Sequence, residues 1–323
     1  MMRILATLLG GLSLAAAAVA FGARYLPISG HATLIVAAAA PYLALTAPVA
    51  VLLLGLSRRW LLTLVALAVT VALVREYVPR YQEAVVADST VVDVRVLTTN
   101  LGMGQADPAA MVALARDNAD IVAVQEMTPD AAEGLSAAGM DGAFGYRVVL
   151  PAPLASGIGI WSRHPIVESG RIDGYALPIL GARIRIPGVP IDTTVLSVHL
   201  AAPWPQPVGL WRHDIALLSD TLREMGRTAG AGAVIVAGDF NATADMAPFR
   251  RLLEQGYRDG AADAAAGLAR TYPGSGKTPA LLGIDHILVK NCSAVAARTV
   301  SVPGADHRGL LATVGVPVDM TTG

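Results

Sequence analysis

The first 75 residues contain no aspartate or glutamate, and five arginines are their only charged side chains. Three apolar runs fill this region, at residues 4–22, 32–56 and 60–78. Because a helix of about 20 mostly apolar residues crosses a bilayer, each run is predicted to be a transmembrane helix. A helical hairpin inside a soluble core is the alternative, but these runs lack the polar face of such helices. Residues 1–78 are therefore predicted to form a membrane anchor.

The remaining boundaries follow from the change in pattern after the anchor. A linker is predicted over residues 79–90, a catalytic domain over 91–317 and a short tail over 318–323. With three crossings, the adjacent Arg58 and Arg59 lie on the same side of the membrane as Arg3, and such positive charge favours the cytoplasmic side for these segments. The catalytic domain is therefore expected on the extracytoplasmic face of a multi-pass membrane protein. The first run could instead be a signal peptide, which would leave two crossings and the same final orientation.

Charge and cysteine content restrict the possible functions. All 25 acidic residues follow Arg75, against 19 of the 24 basic residues, so the region from Glu76 onward has a formal charge of −6. Such a domain is a poor generic binder of nucleic acid, which requires basic side chains on phosphates. Cys292 is the single cysteine, so an internal disulfide and a multi-cysteine zinc site are excluded.

From about residue 91 short strands alternate with helices, and many strands end in a polar side chain. The strongest case is the apolar run over residues 233–237, which Gly238 turns so that Asp239 and Asn241 are expected to emerge together. A β-turn that uses Asp and Asn for turn chemistry is the alternative interpretation. Other strand ends or turns carry Asn100, Glu126, His199, Asp285, Asp306 and His307. Hard oxygen donors of this kind favour Mg²⁺ or Mn²⁺ over zinc, and they indicate hydrolysis of a phosphate ester or anhydride.

Eight short motifs in order resemble the endonuclease/exonuclease/phosphatase superfamily, which has the deoxyribonuclease-I-like fold. The motifs are Thr99-Asn100, Gln125-Glu126, Gly159–Arg163, Ser197–His199, Gly238–Asn241, Thr271–Pro273, Ile284–Ile287 and Asp306–Arg308. The resemblance covers about residues 91–317. It implies an α/β fold, a four-layer sandwich of two mainly antiparallel sheets flanked by helices. It also implies a phosphoric ester or anhydride hydrolase that depends on a divalent metal.

The resemblance implies a metal site with Mg²⁺, or Mn²⁺, as the cofactor. Glu126 matches the principal metal ligand, Asn100 lies beside it, and Asp306 completes the metal or water network. This sequence departs from the family pattern at Ala305, where serine is frequent, and at Gly283, where arginine is common. The second departure removes a positive charge near the expected site.

The resemblance also implies catalytic roles for five residues. His307 matches the catalytic histidine, and Asp285 matches the carboxylate that orients it and stabilises its charge. Asp239 would position or deprotonate the attacking water. Asn241 would hold a phosphate oxygen, and His199 would donate a hydrogen bond to the phosphoryl group in the transition state.

The catalytic set does not name the substrate, because the same fold serves many phosphoesters. The anchor, the acidic charge and the outward orientation together favour a phosphorylated lipid as substrate and the membrane as partner. The arrangement is similar to membrane-anchored bacterial family members linked to teicoplanin resistance, which implies action on undecaprenyl diphosphate or a related cell-wall lipid. A membrane-anchored extracytoplasmic nuclease and a non-catalytic binding protein are the alternatives.

Four other features receive a structural interpretation. Residues 274–278 suggest a nucleotide-binding loop but lack the first required glycine and a preceding strand, so a loop over the site is predicted. His286 is expected to be structural, because it points away from Asp285 across the strand. Trp211 is expected in helix packing, and either Trp211 or Trp204 could instead lie at a membrane interface.

Overall fold

The computed structural model describes residues 1–82, 90–274 and 278–318. Most of the predicted linker, nearly all of the predicted tail and the middle of the 274–278 loop lie outside these residues. The N-terminal region forms four helices, α1 (Met2–Ala23), α2 (His31–Leu43), α3 (Thr46–Leu56) and α4 (Trp60–Tyr77). A 3₁₀ turn, Val78–Tyr81, extends α4. Met2–Ala23 and Trp60–Tyr81 are long and apolar enough to span a membrane, which indicates membrane association.

The second apolar run differs from the single helix that was predicted over 32–56. It forms α2 and α3, which meet at 63°. Pro48 explains where the break lies, because proline has no N–H to donate to the carbonyl of Ala44 and its ring collides with that carbonyl. Thr46 takes over part of the hydrogen bonding, with its Oγ1 donating to Leu43 O at 2.6 Å. An 11-residue helix such as α3 is about 16 Å long, roughly half of a bilayer core.

Two six-stranded sheets form from the described residues of the C-terminal region. The first has the order β11-β12-β1-β2-β4-β3 and the second the order β5-β6-β7-β8-β10-β9. The strands of the first sheet are β1 (Val91–Asn100), β2 (Ile121–Gln125), β3 (Tyr146–Leu150), β4 (Ile158–Ser162), β11 (Ser293–Val300) and β12 (Gly309–Pro317). Those of the second are β5 (Ile166–Ile172), β6 (Ile179–Ile184), β7 (Thr193–His199), β8 (Val234–Asp239), β9 (Arg258–Asp259) and β10 (Asp285–Lys290). β1 with β2 and β7 with β8 are parallel, and the other pairs are antiparallel.

Helices cover the outer faces of both sheets, which confirms the predicted four-layer sandwich. They are α5 (Pro108–Asn118), α6 (Pro129–Ala137), α7 (Met140–Ala143), α8 (Val208–Ala229), α9 (Ala247–Leu253) and α10 (Gly260–Asp263). One buried cluster lies between the two sheets and includes Val96, Ile160, Val195 and Ile235. A second lies under α5 and α6, and a third under α8 and α9. Burial of this apolar surface is the main stabilising contribution.

The β-rich pattern matches the predicted elements except at the edge of the second sheet. β5 was not predicted, because most of it is exposed and Gly170 interrupts any alternation of apolar residues. The sequence pattern predicts a strand over 182–186, and β6 lies a few residues earlier. The pattern also predicts motif-bearing strands over 92–100, 120–126, 193–199 and 284–289, and the observed strands lie within one residue of these bounds.

Buried ion pairs join the N-terminal helices to the catalytic region. The Arg24 guanidinium, only 2% exposed, donates to Asp245, and it also pairs with Glu76 at 2.7 Å. Arg80 Nη2 donates to Asp245 Oδ1 at 3.0 Å. Asp245 follows Asn241 by four residues, so the ends of α1 and α4 hold the segment that leaves the candidate site.

Candidate active site

The ends of five strands, three in the second sheet and two in the first, bring the predicted site residues together. In the second sheet His199 pairs with Asp239 across the parallel β7 and β8, and Asp239 pairs with Asp285 across the antiparallel β8 and β10. In the first sheet, Asn100 on β1 pairs with Gln125 on β2, and Glu126 follows Gln125 directly. The two sheets meet at this edge, where Asn100 Nδ2 donates to Asp239 Oδ2 at 3.1 Å. The topology therefore gathers groups that lie far apart in sequence.

Glu126 and Asn100 form the part of the site that belongs to the first sheet. Asn100 Nδ2 donates to Glu126 Oε1 at 3.0 Å, and the backbone N–H of Met103 donates to Glu126 Oε2 at 2.7 Å. Glu126 has φ +56°, a strained conformation for a residue with a Cβ that is frequent at functional sites. The strand end thereby turns the carboxylate into the pocket, where it remains partly accessible.

Asp239 and Asn241 converge by a turn rather than by two extended residues. Asn241 has φ +49°, and its backbone N–H donates to Asp239 Oδ1 at 2.8 Å. Its Nδ2 donates to Leu200 O at 2.9 Å. The predicted reason for the shared pocket was therefore wrong, although the shared pocket exists. Gly238 is needed for a different reason from the predicted one, because a Cβ there would overlap the carbonyl oxygen of Val198 on β7.

His307 and Asp285 form a buried hydrogen-bonded pair. His307 Nδ1 lies 2.9 Å from Asp285 Oδ2, and His307 Nε2 lies 3.8 Å from Asp239 Oδ2. Burial by itself lowers the pKa of His307, but the Asp285 and Asp239 carboxylates outweigh it and raise the pKa to about 10. Burial, reinforced by the Asp285 charge, raises the pKa of Asp239 to about 6. The site thus holds a cationic imidazole beside a carboxylate that readily accepts a proton.

His199 closes the pocket on the side of β7. Its Nδ1 lies 3.1 Å from the carbonyl oxygen of Ala155, which requires Nδ1 to carry a proton. Its Nε2 lies 3.6 Å from Glu126 Oε1 and 3.8 Å from Asp239 Oδ2. Nε2 therefore faces the space between the two carboxylates.

The buried donor set fits a divalent cation. Ligand atoms of Asp239, Asp285 and His307 all lie within 4.8 Å of one another. A protonated His307 has no lone pair for a metal, so the Asp239 and Asp285 oxygens are the fitting donors of this group. Asp285 Oδ1 is buried with no hydrogen-bond partner among the described residues, as expected of an oxygen that accepts a cation. Hard carboxylate oxygens suit Mg²⁺ or Mn²⁺, and the identity of the ion remains a prediction.

The other predicted metal ligands lie at the same end of the sandwich. Asn100 turns its Oδ1 to the backbone N–H of Gly102, at 2.9 Å. Asp306 is exposed, and its Oδ1 would lie 2.7 Å from a Cβ added at Gly102. Asp306 thus flanks the Asn100 loop rather than joining the buried cluster of carboxylates.

Thr271 has a structural role that sequence reasoning did not assign. It is fully buried, and its Oγ1 accepts the backbone N–H groups of Ile284 and Asp285, each at 3.2 Å. Its carbonyl oxygen accepts the N–H of Arg308 at 2.7 Å. Thr271 therefore holds the chain on both sides of the Asp285–His307 pair. Its place in a family motif was a signal, but its contacts could not be read from the sequence.

A buried polar connection below the site was also missed. Gln125 Nε2 donates to Ser197 Oγ at 3.1 Å, and Thr98 Oγ1 donates to Gln125 Oε1 at 3.3 Å. Thr98 and Gln125 belong to the first sheet and Ser197 to the second. These hydrogen bonds fix the spacing of the two sheets directly beneath the catalytic groups.

The structural interpretations of His286 and Trp211 are confirmed. His286 is buried on the other side of β10, with its two ring nitrogens 3.1 Å from Asp259 Oδ2 and 2.9 Å from Ala242 O. Trp211 is fully buried and donates to Phe240 O at 3.2 Å. The alternative that placed Trp211 at a membrane interface is therefore wrong, whereas Trp204 is 58% exposed.

Comparisons with known proteins agree with this geometry. The model of the Endonuclease/Exonuclease/phosphatase family matches residues 97–308. No curated protein matches the chain. A solved family protein from Leptotrichia buccalis C-1013-b is 18% identical, with a TM-score of 0.52 over 68% of this chain and 99% of its own. Another from Beutenbergia cavernae DSM 12333 is 20% identical, with a TM-score of 0.51 over 70% and 72% of the two chains. TDP2 from C. elegans is 13% identical, with a TM-score of 0.56 over 71% and 77%.

The fold is of the deoxyribonuclease-I-like class, whose members generally hydrolyse phosphoester bonds. The chain belongs to the endonuclease/exonuclease/phosphatase family. The solved structures are too distant in sequence to carry more than the fold.

Proposed function

We propose that the protein is a divalent-metal-dependent phosphatase that acts at a membrane surface on a phosphorylated lipid. The observation that carries the proposal is the cluster of Asp239, Asp285 and His307 at one edge of the sandwich, in a chain whose N-terminal helices are apolar enough to enter a bilayer. The N-terminal helices pack directly on the catalytic region through Arg24 and Arg80. Such a tether keeps the site near lipid head groups.

The side chains of the site divide the work of hydrolysis. A bound divalent cation would neutralise charge on the phosphate, with Glu126 as its principal ligand. Asp239, which lies beside His307, orients the attacking water and accepts its proton. The Asp285-supported His307 and the Nε2 of His199 bind non-bridging oxygens as negative charge accumulates. Asn241 positions a further oxygen.

The substrate class rests on location and charge. The region from Glu76 onward has a formal charge of −6, which disfavours nonspecific binding to a polyanion. Undecaprenyl diphosphate, or a related cell-wall lipid intermediate, combines a membrane-embedded chain with a phosphate anhydride. We also propose a role in glycopeptide resistance, by analogy with the membrane-anchored teicoplanin-resistance protein VanJ. We place the site on the extracytoplasmic face, because Arg58 and Arg59 favour the cytoplasm for the α3–α4 turn.

A substrate panel tests the proposal. The full chain in lipid nanodiscs, with Mg²⁺ or Mn²⁺, is expected to release inorganic phosphate from polyprenyl diphosphate and to leave plasmid DNA intact. Asp239→Ala and His307→Ala should each abolish phosphate release without unfolding the protein, because both residues serve the pocket rather than the core. Degradation of DNA without phosphate release would identify a membrane-anchored nuclease. Failure to turn over any phosphoester would favour the non-catalytic alternative.

A further inference from the structure

Five large exposed apolar side chains lie on the loops that build the catalytic site. We call them the rim: Met103, Leu154, Trp204, Tyr272 and Leu281. Leu154 is 70% exposed and Trp204 is 58% exposed. Exposed apolar side chains grouped around one pocket indicate a surface that meets an apolar partner.

Direct contacts connect the rim to the catalytic groups. The backbone N–H of Met103 donates to Glu126, and the ring of Tyr272 lies 5.0 Å from that of His307. Leu154 directly precedes Ala155, whose carbonyl oxygen lies 3.1 Å from His199 Nδ1. Three of the five rim residues, Met103, Leu154 and Tyr272, therefore lie beside groups of the candidate site.

Helix α2 is attached to the rim at both of its ends. At its first residue, His31 Nε2 lies 2.9 Å from Gln206 O, and the His31 ring is 4.8 Å from that of Trp204. Near its last residue, the Tyr42 hydroxyl donates to the carbonyl oxygen of Leu281. A helix held to the catalytic region at both ends runs along its surface and does not cross a bilayer away from it.

One face of α2 is buried and the other remains uncovered. Leu34, Ala37 and Ala40 are buried, the first two in the same cluster as the residues under α8. Ile35 on the opposite face is 54% exposed. The exposed face consists of apolar and small residues, as in a helix that lies in the plane of a membrane interface.

The helices on either side of α2 in the chain, α1 and α3, expose large apolar side chains of the kind that contact lipid. α1 precedes it and exposes Leu5, Leu8 and Leu12, and α3 follows it and exposes Val49 and Leu52. Because α2 joins these helices to the rim, the bilayer that receives α1 and α3 reaches the rim as well. Trp and Tyr, which the rim contains, are the side chains favoured at such an interface.

We infer that the rim and the exposed face of α2 rest in the headgroup region of the bilayer, so that the catalytic pocket opens onto the lipid surface. Delivery of a lipid phosphate through this entrance rests on the proposed function. The contact with the bilayer does not, because it follows from exposure and from the attachment of α2. A lipid substrate then moves laterally from the membrane into the pocket while its acyl chain remains in lipid.

Quenching of Trp204 fluorescence tests the membrane contact without any assay of activity. In a Trp60→Phe background of the full chain, Trp204 is the exposed tryptophan, since Trp161 and Trp211 are buried. Vesicles of phosphatidylcholine brominated at acyl positions 6 and 7 are expected to quench it more strongly than vesicles brominated at positions 11 and 12. Emission is corrected with the Trp60→Phe/Trp204→Phe variant. An unquenched Trp204 would overturn the inference, whether water or a second copy of the chain covers the rim.

A paired assay separates this inference from the proposed function. Leu154→Ser combined with Trp204→Ser should lower kcat/KM by about tenfold or more for polyprenyl diphosphate in vesicles, and leave a water-soluble aryl phosphate ester unaffected. Val295→Ser is the matched control, because Val295 is exposed at the bulge of β11 and its neighbours pair with Val314 and Thr313, in the half of β12 away from the site. Quenching without lipid turnover would refute the proposed function alone. If the protein turns over the lipid, but Trp204 is not quenched and the double variant has normal activity, the inference is refuted and the proposed function stands.

Discussion

Replacing Thr271 by valine tests how the fold holds the catalytic pair. The substitution keeps the shape of the side chain but removes the oxygen that accepts the N–H groups of Ile284 and Asp285. A buried N–H without a partner costs about 1–3 kcal/mol, so two cost roughly 2–6 kcal/mol. At about 2–4 °C per kcal/mol for a domain of this size, the Tm should fall by roughly 4–24 °C. Because Asp285 orients His307, kcat should fall by about 10²-fold.

Thr271→Ser is the matched control for this prediction. Serine retains the oxygen and removes one methyl group, a loss of about 1 kcal/mol. Melting followed by the buried indoles of Trp161 and Trp211 measures stability, and phosphate release by the full chain measures activity. Equal Tm and equal kcat for the valine and serine variants would refute the role assigned to the Thr271 hydroxyl.

Three further predictions concern the fold and the metal. Gly238→Ala should destabilise the protein by about 3 kcal/mol, because the new Cβ meets the Val198 carbonyl oxygen. Gly170→Ala, on the exposed β5, has open space around its Cβ and should be tolerated. Thermal melting compares the two variants, and an equal fall in Tm would contradict the packing argument. His286→Leu leaves the Asp259 carboxylate buried without its imidazole partner and should lower the free energy of unfolding by about 3–5 kcal/mol. Phosphate binding should change little. A Tm equal to that of the wild type would contradict a stabilising His286–Asp259 pair. Removal of divalent ions with EDTA should stop phosphate release, and Mg²⁺ or Mn²⁺ should restore it; activity that persists in EDTA would exclude the metal role.

The catalytic end of the fold could be predicted because its signals are local. Asn100, Glu126, His199 and Asp239 each end a strand whose apolar run is visible in the sequence. Their order matched a family pattern. The register that sets Asp239 beside His199 and Asp285 depends on pairing between distant strands, and only the structure supplies it.

The failures of prediction also have physical causes. The pocket shared by Asp239 and Asn241 depends on a left-handed backbone at Asn241, which no periodicity reveals. The break between α2 and α3 was missed because proline is tolerated in membrane helices, and the effect of Pro48 depends on where the chain turns toward the catalytic region. The hydrogen bonds of Thr271 join segments that no sequence spacing relates.

Release of inorganic phosphate from polyprenyl diphosphate in nanodiscs, compared between the wild type and His307→Ala, is the most direct measurement of the central claim. The claim is that the buried groups around Asp239 form one metal-dependent phosphatase site. Metal-dependent release by the wild type and none by the variant is the predicted result. Equal release by both proteins would contradict the site, and no release by either would contradict the function.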